Sequence, residues 1–167
     1  MLSCSLFEQL RELHGLDNRY LGILEVAAIL HEIGLFVSVG SLHKHSMYLI
    51  MHSEFFGISE RDVGLVALVA RYHRRAAPQP NHEFYSQLDR EDRVAVAKLA
   101  AILRVAKALD ANRTQSIKEV KVDFTSREIN LIAKTQSDIS MEKLELNSSR
   151  SLFESIFGVG VSLESEN

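Results

Sequence analysis

The apolar residues of this chain change their spacing once, near Thr114-Gln115-Ser116, and that change constrains the fold more than any other feature. Upstream the spacing is helical. Leu6, Leu10 and Leu13 share one face, and Asp17 is placed to cap a helix from Asn18 to about Ile33 that Gly34 stops. Ser41 is placed to cap a helix through Met51 or His52. Ser59-Glu60-Arg61-Asp62 resembles a capping box, with Asp where Glu or Gln is preferred, and opens a helix carrying Val63, Val66, Val69 and Ala70. Pro78 and Pro80 fall in a loop from Ala76 to Leu88. Asp89 then starts the longest helix, with Leu99, Leu103, Ala106 and Leu109 or Asp110 recurring along it. Downstream of Ser116, Val120, Val122 and Phe124 alternate, as do Ile129 and Leu131, with Ser126-Arg127 between them as the expected hairpin turn. A short helix from Ser149 to Phe157 ending at Gly158, and a strand from Val159 to Leu163, complete the reading. The sequence therefore predicts a mainly α protein, with a helical core over 1–115 and a small α+β appendage, β-rich with one short helix, over 116–167.

Composition narrows the function classes. With 167 residues, 46% of them hydrophobic, the chain can bury roughly two-thirds of its unfolded surface without a disulfide or metal. The only cysteine, Cys4, cannot form an internal bridge and suits a reducing, cytoplasmic setting. The most apolar segment, Leu21 to Val39, is interrupted by Glu25, His31 and Glu32, which argues against a membrane span or a signal peptide. A net charge of −3 argues against a general nucleic-acid binder, and no sequence-specific nucleic-acid motif is present. Any site for an anion must therefore be a local concentration of positive charge.

Such a concentration exists. Arg71-Tyr72-His73-Arg74-Arg75 places three guanidiniums and an imidazole at a helix end, donors suited to phosphate oxygens, although cations there also meet the negative end of the helix dipole. Lys107 has Asp110 three residues on as a simple ion-pair partner. Two further histidine elements precede the arginines: Leu30-His31-Glu32-Ile33-Gly34 and Gly40-Ser41-Leu42-His43-Lys44-His45-Ser46. His43 and His45 lie about 200° apart on a helix, so a regular helix does not aim both at one ligand. His43 reads as a solvated first-turn residue. His14, His52 and His82 read as surface or helix-end histidines, and His31 with Glu32 also fits a buried polar pair.

Taken as a set, these elements resemble an HD-type phosphohydrolase core, and "AAILHEIG", "LHKHSMYLIMHSE" and "LVARYHRR" resemble the carboxy-terminal domain of the exopolyphosphatase and guanosine pentaphosphate phosphohydrolase (Ppx/GppA) family, from about Leu6 to Val161. An HD-type metal centre uses an adjacent His and Asp, an earlier His and a late Asp. Here the adjacent acid is Glu32, Lys107 stands at the late position, and the earlier His falls by resemblance at or before Met1. No metal is therefore expected. If HD-type catalysis did operate, the resemblance would assign it to His31, Glu32, His45 and His73. The family implies that hydrolysis, and its magnesium, belong to a separate actin-like region with glycine-rich phosphate loops, which are absent here. For this chain it implies a non-catalytic accessory role without a cofactor: dimerisation as a homodimer, and contact with polyphosphate or another phosphate-rich anion. The implied contacts are His45, Arg71, His73, Arg74, Arg75 and Lys44, with Arg104 and Lys107 on elements expected nearby. A divergent HD-type nucleotide phosphohydrolase and a helical interaction module without ligand are the alternatives.

Overall fold

The computed structural model describes residues 1–125 and 128–166, so the turn expected at Ser126-Arg127 lies outside the described residues. It is mainly α with a small α+β part. The helices are α1 Leu2–Gln9, α2 Arg11–His14, α3 Arg19–Leu30, α4 Leu42–Met51, α5 Glu60–Arg71, α6 Arg90–Ala108, α7 Ser140–Ser149 and α8 Ser151–Phe157, and the strands are β1 Val120–Phe124, β2 Glu128–Lys134 and β3 Gly160–Glu166. No described helix is long and apolar enough to cross a membrane.

The chain forms two compact units: residues 16–100, and residues 1–15 together with 101–167. This grouping follows contact, whereas the division at 115/116 follows secondary-structure type. In the first unit α5 carries the core, with Leu65, Val66, Leu68 and Val69 all buried. It packs against α3 and α4. Its start is capped as the sequence predicts: the Ser59 hydroxyl accepts the Asp62 N–H at 3.1 Å and donates to the Asp62 carboxylate at 2.9 Å. Asp89 caps α6 in the same way, accepting the Asp92 N–H at 2.8 Å. Asp92 is buried at 2% exposure and takes Arg61 Nε at 2.7 Å and the Tyr20 hydroxyl at 3.4 Å, so one carboxylate ties α3, α5 and α6 together.

Two helix ends depart from the sequence reading. α3 stops at Leu30, before Gly34, and Ile33–Phe36 forms a 3₁₀ turn instead. Ser41 precedes α4 as expected but sits in the left-handed region at φ 56° and makes no side-chain cap.

In the second unit β1 and β2 pair antiparallel, with Val122 opposite Leu131, and β3 joins β2 in parallel, with Val161 opposite Ile129. A parallel pair needs a long crossover, and 135–159 supplies it with α7 and α8. The sequence reading lacked α7: only Glu142 and Leu146 are buried on it, while Met141 and Leu144 face solvent, so no apolar stripe marks it. Gln9 covers the free edge of β1 by acting as a strand residue, its side-chain amide donating to Val120 O at 2.8 Å and accepting from Val122 N at 2.9 Å. His14 is not at the surface. It is fully buried, bonded through Nε2 to Phe7 O at 2.8 Å, with its ring tilted by 34° against the Phe7 ring at 4.2 Å between centroids.

Candidate anion-binding site

All the residues singled out from Leu30 to Arg75 lie in the unit of residues 16–100, and a close approach of backbones organises them. Gly34 is buried against the start of α4, where a Cβ would lie 2.5 Å from Leu42 O, 2.5 Å from Ser46 N and 2.9 Å from the His45 Cβ. Ser46, fully buried, fastens the same place: its hydroxyl donates to His31 O at 2.7 Å and accepts from Gly34 N at 3.0 Å. The His-Ser pair of the α4 motif is thus half ligand candidate and half structural clamp. The clamp role was not read from sequence.

The structure brings His31 and His73 together, with ring centroids 4.8 Å apart in an edge-to-face arrangement. Each is anchored through Nδ1 to the carbonyl three residues back, His31 to Ala28 and His73 to Ala70. A carbonyl only accepts, so Nδ1 carries the hydrogen in both rings and Nε2 holds the lone pair when the ring is neutral. His73 is buried, whereas His31, Glu32 and His45 are half-buried. Among the described residues no three His, Cys, Asp or Glu side chains gather into a group that could hold a metal ion.

The cations form a second cluster around the start of α4 and the end of α5. Lys44 is exposed, Arg71 and Arg74 are half-buried, and Arg75 is exposed in the left-handed region at φ 61°. Arg71 lies along Met47 and Tyr72, with Nη1 3.8 Å from the Met47 sulfur and its guanidinium 5.7 Å from the Tyr72 ring centre. Elsewhere cations meet carboxylates: Arg61 with Asp92 at 2.7 Å, Arg150 with Glu154 at 3.3 Å, and Lys107 with Glu145 at 3.3 Å rather than with Asp110. Lys44, Arg71 and Arg74 make no ion pair among the described residues. Arg104, buried, and Lys107 belong to the other compact unit.

His43 is not the solvated residue that its first-turn position suggested. It is half-buried, with Nδ1 buried and without a hydrogen-bond partner. Burial, then the charges of Arg71, Arg74, Arg75 and Lys44, lower its pKa to about 4. His82, half-buried in the proline loop and bonded through Nδ1 to the Tyr72 hydroxyl at 2.9 Å, is lowered by burial and then by Arg71 and Lys44. Of the three histidines read as surface or helix-end residues, His52 is exposed and stacked on exposed Tyr48, and His14, though buried, ends α2.

Residues 1–153 match the family model described as Ppx/GppA phosphatase, domain III. The chain belongs to this family. The matched span of domain III includes every residue of the site and ends within α8, before β3. Two relatives, both named guanosine-5′-triphosphate,3′-diphosphate pyrophosphatase, are similar to it. That of Pseudoalteromonas atlantica is 31% identical over 121 residues, 70% of this chain and 23% of the relative. That of Pseudoalteromonas translucida is 39% identical over 54 residues, 32% of this chain and 11% of the relative. This domain III chain therefore spans less than a quarter of the length of either.

Proposed function

We propose that this domain III is a non-catalytic accessory part of a Ppx/GppA-type phosphatase, which contacts a phosphate-rich anion such as polyphosphate or guanosine pentaphosphate and assembles as a homodimer. The observation that carries the reading is the group Lys44, Arg71 and Arg74, cations without carboxylate partners among the described residues of a chain whose net charge is negative. Guanidiniums offer planar pairs of donors to phosphate oxygens, and local positive charge steers a polyanion despite the negative total. Arg75 and His45 complete the proposed contacts, while buried His73, set against His31, supports them from within. The names of the relatives, whose substrate is itself a cluster of phosphates, agree with this ligand class. For homodimerisation the support is the exposed apolar run that includes Phe36, 93% exposed, and Val39, 73% exposed, since Leu6, Phe7 and Leu10 are buried within the chain.

Calorimetric titration with long-chain polyphosphate at low salt tests the anion contact. Micromolar to millimolar affinity is expected from a few exposed charge-assisted bonds. It should fall steeply with salt, because each neutralised phosphate releases counterions. Arg71→Ala combined with Arg74→Ala should weaken binding roughly tenfold or more, at about 1.5 kcal/mol or more for the charged hydrogen bonds removed. Lys118→Ala, exposed in the other unit, should leave it unchanged. Equal binding by the double variant rejects this site.

A further inference from the structure

We propose that His43 belongs to this site, and that binding of a phosphate-type anion there is coupled to uptake of one proton by its imidazole. This rests on the anion-binding reading above and adds a residue and a pH dependence to it.

The geometry carries the inference. His43 is in the first turn of α4, between the left-handed Ser41 and Lys44, and its Nδ1 is buried with no hydrogen-bond partner. Two elements pack on α4 in quantity, the 3₁₀ turn Ile33–Phe36 and α5. The 3₁₀ turn brings no titratable side chain, only Ile33, Gly34, Leu35 and Phe36, and Glu32 with His31 stands just before it. The end of α5 and the residues after it bring Arg71, His73, Arg74 and Arg75, while α4 itself adds Lys44 and His45. The charges that act on the His43 ring are those of Arg71, Arg74, Arg75 and Lys44, all positive. The ring is thus a base kept neutral by burial and then by its charged neighbours, with a buried nitrogen that has nothing to bond.

A bound anion acts on the charges and on the missing partner. Its negative charge offsets the field of the four cations, and its oxygens supply an acceptor for an imidazolium N–H. The imidazole nitrogen takes the proton from solvent, and the N–H so formed donates to the ligand. Linkage is reciprocal, so whatever factor the anion adds to proton affinity the proton adds to anion affinity. The sign follows from the ring's pKa of about 4 in the ligand-free domain. If the anion restores the ordinary value of about 6.5, binding tightens as pH falls through that value, by about tenfold between pH 7.5 and 5.5. A site made only of guanidiniums and ammoniums would show no such change, since those groups keep their charge throughout this range.

The test is calorimetry with long-chain polyphosphate at pH 5.5 in two buffers of different ionisation heat. The interior phosphates of that ligand stay singly ionised, so any proton change belongs to the protein. Uptake near one proton per bound domain is expected, falling towards zero in His43→Gln, whose affinity should also lose its rise between pH 7.5 and 5.5. Binding without proton uptake overturns the inference and leaves the anion site standing, as does uptake that persists unchanged in His43→Gln. No binding at any pH at low salt rejects the anion site itself. Should the variant not fold, the ring resonances of His43 in the wild-type protein decide the matter: its titration midpoint must rise when polyphosphate is added, and an unmoved midpoint rejects the coupling.

Discussion

Gly34 has an ordinary backbone conformation and yet cannot be replaced by a larger residue without displacing backbone. The atoms a Cβ would meet are Leu42 O and Ser46 N, which no side-chain rotation can move away. Gly34→Ala should therefore cost about 3 kcal/mol, the upper end for overpacking, measured by urea unfolding. A loss under about 0.5 kcal/mol would mean that the start of α4 gives way easily. In sequence Gly34 read as a helix stop, because the residues that crowd it come 8 to 12 positions later and no local pattern reports them. The same limit explains the histidines. Arg71 to Arg75 was legible as a cation cluster because it is contiguous, whereas the environment of His43 depends on charges brought in by another helix. His45 was favoured on its motif, although it is Ser46 beside it that holds the turn.

Elements whose determinants are local were readable: Ser59 caps the helix it was expected to cap, the longest helix starts at Asp89, and β1 and β2 form where the alternating residues placed them. α7 was not readable, since its few buried positions leave no stripe. Nor was the junction of three helices at Asp92, which depends on Arg61 and Tyr20 from distant parts of the chain. Asp92→Ala removes the acceptor from a charged guanidinium and a buried hydroxyl and should lower stability by about 2 kcal/mol. The cost stays modest because Arg61 is half-exposed and water can replace its partner. Urea denaturation of the variant at low and high salt checks this, and a loss above about 4 kcal/mol would show that Asp92 holds more than these bonds.

At the scale of the whole chain, the unit that contains the sheet is discontinuous, built from residues 1–15 and 101–167. Phe7, fully buried, is one of its core residues, and Phe7→Ala should cost about 3–5 kcal/mol. In native-state hydrogen exchange, amides of α1 and of β1 to β3 should lose protection first while α4 and α5 keep theirs. Equal loss everywhere would show one cooperative block.

The amide of Gln9 that completes the β1 edge finds its strand 111 residues further along the chain. A ribosome adding about 5–20 residues per second delivers that strand roughly 5 to 20 s after Gln9. Throughout that interval Leu6, Phe7 and Leu10 have been synthesised but most of the unit that buries them has not. α1 is thus housed only after a strand made 111 residues later, and through that interval the nascent chain carries an exposed apolar face open to chaperones.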